Sequence, residues 1–69
     1  MTINGKDRAF EDLPEPVALS DLLNKLDLKA DRIAVELSGE IVSREGWPTA
    51  VVHGGDRLEI VHFVGGGSL

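Results

Sequence analysis

The sequence predicts a small α+β domain in which one main helix packs on one face of a mixed sheet of four to five strands. Three patterns support this prediction. Leucines recur at helical spacing in the first half of the chain, apolar and polar residues alternate over residues 33–37, and a long strand pattern covers residues 57–64. A single amphipathic helix among strands has to bury its apolar stripe against a sheet.

The N-terminal segment predicts a hairpin. Residues 1–4 alternate apolar with polar side chains, and Asn4-Gly5 favours a tight turn because both residues tolerate positive φ. We expect residues 8–12 to return as the second strand, with Phe10 directed inward. Prolines then end this segment in a loop, because proline lacks the backbone donor that a sheet needs.

The central segment predicts the helix and the next strand pair. The helix has Asp21 near its positive end and Lys25 near its negative end, as the helix dipole prefers. Residues 33–37 form a half-buried strand, and residues 40–42 can pair back after a turn. Val51-Val52 is a small apolar island. The apolar stripe of the helix consists of Leu19, Leu22, Leu23 and Leu26.

The last strand presents two faces. Strand alternation places Leu58, Ile60, His62 and Val64 on one side and Glu59, Val61 and Phe63 on the other. If the first set faces the helix, Val61 and Phe63 point outward from a face that is usually polar. This pattern favours a partner-docking surface at Val61 and Phe63, or else a cover of loops or strand ends over them.

Composition limits the classes of function. The chain has 69 residues, no cysteine and a formal net charge of −5. We expect one domain over residues 1–64 and a flexible glycine-rich tail over residues 65–69. An acidic surface favours a basic protein partner over nucleic acid, and neither a membrane span nor a signal peptide is recognisable. A cytoplasmic protein that is monomeric when free fits best.

No residue cluster predicts catalysis. His53 and His62 lack a third ligand at metal-site spacing, so we interpret them as structural or surface histidines. Asp56 is interpreted as a turn residue, and Trp47 as a side chain packed over the edge of the core. We therefore expect that the chain is not an enzyme, because nothing in it builds a pocket with convergent polar groups.

Three segments carry a family resemblance: residues 40–47, which contain Arg44-Glu45-x-Trp47, residues 55–60 with Gly55-Asp56, and residues 64–67 with the glycine run. Together with the opening Ile3-Asn4-Gly5, they make the chain resemble the ThiS family of ubiquitin-like sulfur carriers in thiamine biosynthesis. The resemblance covers the chain up to Gly67 and implies a β-grasp fold.

The resemblance also implies a reaction cycle. A ThiF-like adenylyltransferase, using ATP and magnesium, activates the carboxylate of Gly67, and a persulfide donor converts it to a thiocarboxylate. Thiazole synthase then takes the sulfur. Gly65 and Gly66 thread the reactive end into these partners, because glycine has no side chain to clash in a narrow channel. The chain itself is expected to bind no cofactor or metal.

The last two residues depart from the family pattern, which normally ends at Gly-Gly. Ser68-Leu69 holds the carboxyl group of Gly67 in a peptide bond. One explanation is a precursor trimmed by a tail-processing protease after Gly67, and another is residues added for expression.

Two other functions remain open at this point. One is sulfur transfer for another pathway, such as amino-acid, molybdopterin or specialised-metabolite synthesis. The other is an unconjugated ubiquitin-like interaction module whose glycines are merely flexible. An intact mass taken after incubation with the adenylyltransferase, ATP and a sulfur donor separates carriers from the interaction module.

Overall fold

A computed structural model describes residues 1–28 and 31–63 of the chain. The predicted boundary at residue 64 and the predicted tail over residues 65–69 lie outside the described residues. Within the described residues, no helix is both long enough and apolar enough to cross a membrane.

The N-terminal hairpin consists of β1 (Thr2–Ile3) and β2 (Lys6–Asp7). Asn4 and Gly5 have φ angles of 51° and 82°, the positive values that a two-residue hairpin turn requires. The predicted second strand over residues 8–12 was therefore wrong. A two-residue turn makes the return strand begin at once, so Ile3 pairs with Lys6. Phe10 follows in a loop, half-buried against the core, as its predicted inward direction requires.

Five strands form the main sheet in the order β2-β1-β7-β4-β5. Its remaining members are β4 (Ile33–Leu37), β5 (Glu40–Val42) and β7 (Arg57–His62). β7 pairs parallel with β1 and antiparallel with β4, so the last strand lies at the centre of the sheet. Residues from the two ends of the chain are thereby joined side by side.

The helix α1 (Leu19–Lys25) follows β3 (Val17–Ala18), which pairs with β6 (Val51–Val52) in a second sheet of two strands. The predicted helix is confirmed, and the apolar island proves to be a strand. Ala18 at the helix N-cap has no side-chain cap. Instead, the backbone N–H groups of Leu19 and Ser20 donate to the carbonyl oxygens of Ala50 and Trp47, at 2.8 and 3.1 Å, which satisfies donors left open at a helix start.

One apolar core joins the helix to one face of the sheet. Trp47 is only 3% exposed, so it lies within the core and not merely over its edge. Its indole N–H donates to the carbonyl of Val42 at 3.1 Å, and the Arg44 guanidinium lies 4.4 Å from its ring centroid. A mixed sheet with one main helix on one face is the β-grasp architecture that the sequence predicts. The buried apolar residues are Met1, Ile3, Val17, Leu19, Leu22, Leu23, Ile33, Val35, Trp47, Val52, Leu58 and Ile60.

The Asn4 side chain holds the first hairpin to the last strand. Its Oδ1 accepts a hydrogen bond from the backbone N–H of Ile60 at 2.7 Å, and its Nδ2 donates to the carbonyl of the same residue at 3.2 Å. The backbone N–H of Asn4 also donates to the carbonyl of Leu58 at 2.9 Å. β1 has only two residues, so this amide serves as an additional step of the ladder between β1 and β7.

Replacing Asn4 should measure this contact. Asn4→Ala removes both side-chain hydrogen bonds and places an alanine at positive φ, so we expect the free energy of unfolding to fall by about 2–4 kcal/mol. Asn4→Gly is the matched control, because it loses the bonds but tolerates the φ, and should cost about 1–2 kcal/mol less than alanine. Urea unfolding measures both values. Equal stability of Asn4→Ala and the parent chain would show that the amide contributes nothing.

A surface ion pair ties the N-terminal loop to the helix. Lys25 Nζ lies 2.5 Å from Asp12 Oδ2, and this hydrogen bond lowers the pKa of Asp12 below its ordinary value. A carboxyl whose pKa is lower when folded than when unfolded stabilises the fold above its unfolded pKa. That contribution is lost as the pH falls through the folded pKa.

Asp12→Asn should therefore flatten the acid limb of the stability profile. The variant should differ from the parent chain near neutral pH and converge with it only once the pH falls below the lowered pKa of Asp12 in the folded chain, where Asp12 is protonated in both states. Thermal unfolding from neutral to acidic pH gives the profile, with Glu11→Gln as a control for removal of a nearby charge. A difference that persists unchanged at low pH would contradict the role of the pair.

Candidate functional site

The last described residues of β7 lead toward the predicted reactive tail. The backbone N–H of Phe63 donates to the carbonyl of Arg32 at 3.0 Å, which holds the chain one residue beyond the end of the strand. Gly65, Gly66 and Gly67, the predicted threading and sulfur-carrying residues, lie outside the described residues. The described part of the site therefore ends at Phe63.

A cluster of polar side chains lies at the end of β7. Nε2 of His62 lies 3.2 Å from Oδ2 of Asp31, and Arg44 Nη2 donates to the carbonyl of Asp31 at 2.6 Å. Arg44 in turn stacks on the buried Trp47. The end of β7 is thus linked through Asp31 and Arg44 to the apolar core, and its position is set by the folded domain.

The two predicted docking residues differ in exposure. Val61 is 57% exposed and pairs with Ala34 on the sheet face away from the helix, so its predicted outward direction is confirmed. Phe63 follows the last strand residue and is only half-buried. His62, which alternation assigned to the buried side with Leu58 and Ile60, is exposed instead. The buried side ends at Ile60, and the His62 ring lies beside Asp31.

The sheet has an open face, which we define by Ala34, Glu36, Ile41, Glu59 and Val61. Ile41 is 76% exposed and lies opposite Glu36, while Glu36 lies opposite Glu59 across the β4–β7 pair. These five residues share one side because directly paired residues of neighbouring strands point the same way. Together with Val35 they line a shallow groove of about 120 Å³.

Sequence reasoning missed Ile41 as a surface residue. The signal was present: a two-residue turn at Ser38-Gly39 sets the register of β4 against β5 and so places Ile41 beside Glu36. Glu36 alternates with the buried Val35 and the partly buried Leu37 along β4 and therefore faces away from the core. A register argument from the turn would have identified the exposed isoleucine.

The histidines behave as structural and surface residues. The backbone N–H of His53 donates to Oδ2 of Asp56 at 2.7 Å, so Asp56 bonds its local turn as predicted. His62 contacts Asp31 in a separate part of the surface. Across residues 1–28 and 31–63, no three histidine, aspartate or glutamate side chains are grouped closely enough to hold a metal ion.

Comparisons with known proteins agree with this architecture. The model of the ThiS family matches residues 1–67. The crystal structure of a thiamine biosynthesis protein (ThiS) from Geobacter metallireducens shares 36% sequence identity, covers 96% of each chain and superposes with a TM-score of 0.82. The sulfur carrier protein ThiS of Bacillus subtilis is 34% identical over 67 residues, which cover 97% of this chain and 98% of that protein.

A third relative is much longer. The thiazole synthase of Paramagnetospirillum magneticum is 38% identical over 68 residues, which make up 99% of this chain and 20% of the synthase. This chain therefore spans only a fifth of that relative. The family model and the Bacillus subtilis relative match nearly the whole chain, and the Geobacter metallireducens structure superposes on its fold. On these grounds the chain belongs to the ThiS family.

Proposed function

We propose that this protein is a sulfur carrier of thiamine biosynthesis that bears its sulfur on the carboxyl group of Gly67. The observation that carries this proposal is the family match over residues 1–67, which spans the whole domain and ends on that glycine. The name of the Bacillus subtilis relative, a sulfur carrier protein, supports the same role.

The proposed chemistry needs an activated carboxyl group. In an adenylyltransferase, the Gly67 carboxylate attacks the α-phosphorus of ATP and expels pyrophosphate, forming an acyl-adenylate. A persulfide then attacks the acyl carbon and expels AMP, and a thiol reduces the resulting S–S bond to release the thiocarboxylate. A carboxylate is a poor electrophile, so the mixed anhydride with AMP supplies the leaving group.

In this proposal the partners provide catalysis and the carrier provides an acyl group and a binding surface. ATP and magnesium belong to the adenylyltransferase, and thiazole synthase receives the sulfur. The occurrence of a similar domain within a thiazole synthase supports this second partner. The described part of the chain suits such a role, because β7, the strand that precedes the tail in the sequence, is paired on both sides.

A thiocarboxylation assay tests the proposal. A form ending at Gly67 is incubated with the adenylyltransferase of its own organism, ATP, magnesium and a persulfide donor. We expect the intact mass to show the exchange of one oxygen for one sulfur. The 69-residue form is the matched control and should stay unchanged unless a protease removes Ser68-Leu69. An unchanged mass in both forms would contradict the carrier role and favour the interaction module.

A second test concerns the docking residues. Val61→Ser should raise the dissociation constant for thiazole synthase about tenfold, because an exposed valine at a partner surface contributes to affinity by becoming buried on binding. Val51→Ser is the matched control, since Val51 is 43% exposed but belongs to the small sheet. Calorimetric titration measures both constants. Equal losses in the two variants would contradict docking at Val61. Phe63 is a less selective probe, because it is half-buried and its replacement also affects stability.

A further inference from the structure

The open face carries a pair of like charges that the fold does not use. Glu36 and Glu59 are directly opposite in the antiparallel β4–β7 pair. Among the described residues, neither carboxylate has a hydrogen bond or an ion pair within 4.0 Å. Like charges placed directly across two strands destabilise a sheet. Arg57 lies on the same face, two residues before Glu59, but makes no ion pair within 4.0 Å with either carboxylate, so the repulsion is not relieved by a close contact in the described part of the domain.

Exposed apolar side chains flank this pair on both sides. Ile41 on β5 lies directly opposite Glu36 on β4, and Val61 lies two residues beyond Glu59 along β7. One row across the sheet is thus Ile41, Glu36 and Glu59, and the next row is Ala34 and Val61. Rows on one face of a sheet lie about 7 Å apart along the strands, and neighbouring side chains within a row about 5 Å apart.

This spacing matches a basic side chain lying across the sheet. The aliphatic stem of an arginine packs on apolar surface while its charged head remains free to bind carboxylates. Two glutamates whose Cβ atoms lie about 5 Å apart can both reach one planar guanidinium, which offers five N–H donors. The net charge of −5 adds long-range attraction for a basic surface.

We propose that the open face binds thiazole synthase through an arginine or lysine set beside an apolar side chain, with Glu36 and Glu59 receiving the positive charge. The inference rests on the proposed sulfur-carrier function and goes beyond it by assigning the chemistry of the partner surface. The choice of partner follows from the thiazole synthase that contains a similar domain in its own polypeptide. Binding neutralises the repulsion between the two glutamates, so the charge that weakens the free domain strengthens the complex.

The proposal predicts opposite effects on folding and on binding. Glu36→Gln/Glu59→Gln should raise the melting temperature by about 2–5 °C, because the repulsion is relieved. The same variant should bind the thiazole synthase of its own organism about tenfold more weakly at low salt and should lose most of the salt dependence shown by the parent chain. Glu45→Gln is the matched control and should change neither property, because Glu45 is exposed in the 3-10 helix Arg44–Gly46, outside the sheet.

Calorimetric titrations at about 50 and 300 mM salt, with melting curves of the same samples, measure these effects. Weaker binding with a higher melting temperature supports the proposal. Unchanged binding of the double variant, an equal loss in Glu45→Gln, or no binding of the parent chain to the synthase overturns it. Loss of binding to the adenylyltransferase alone also overturns it, because the face would then serve the other partner.

The thiocarboxylation assay separates this inference from the proposed function. If the parent chain ending at Gly67 gains sulfur while the double variant binds the synthase normally, the carrier role stands and the proposed contact fails. If the parent chain gains no sulfur, the carrier role itself fails. A variant that gains sulfur at the parent rate but binds the synthase weakly places the effect at the docking step.

Discussion

The contact between Asn4 and the backbone of Ile60 joins the two ends of the chain, and the rest of the structure depends on that union. β1 pairs with β7 over only two residues, and the Asn4 amide supplies a further donor and acceptor. With β7 held between β1 and β4, the sheet acquires its central strand. Leu58 and Ile60 can then pack in the same core as the helix.

The same strand determines both faces of the sheet. Its alternation buries Leu58 and Ile60 under the helix and presents Glu59 and Val61 on the other side. A change in the register of β7 by one residue would exchange these roles, exposing core leucine and isoleucine and burying a glutamate. The register of β7 therefore fixes the packing of the core and the composition of the open face together. A shift of β7 would disrupt both.

The strongly periodic elements could be predicted from the sequence. The leucine stripe, the alternation around Val35 and the Asn4-Gly5 turn each have a local physical cause, and each is confirmed. The strands β3 and β6 could not be recognised, because each has only two residues, too few for any periodicity, and they pair only with each other. The second strand of the hairpin was placed too late for a related reason: residues 6 and 7 are polar and exposed, so no apolar pattern marks them.

The site divides along the same line. Exposure of Val61 follows from alternation, which is local, whereas the exposed position of His62 depends on where the core ends and on the contact with Asp31. The contact between the Asn4 side chain and Ile60 could not be predicted from local patterns either, since the two residues lie 56 positions apart along the chain. The glycine run was recognised through its context and family resemblance, because glycines at a chain end are by themselves more typical of a flexible linker.

A glycine run has no side chains and so presents a partner with the same backbone whichever protein carries it. Selectivity between partners requires a difference in binding free energy, and a run of glycines without side chains supplies little of that difference. The discrimination has to come from the folded domain, on surface that the core does not need. The open face is surface of this kind: its isoleucine and valine are exposed, and its two glutamates lie directly opposite each other.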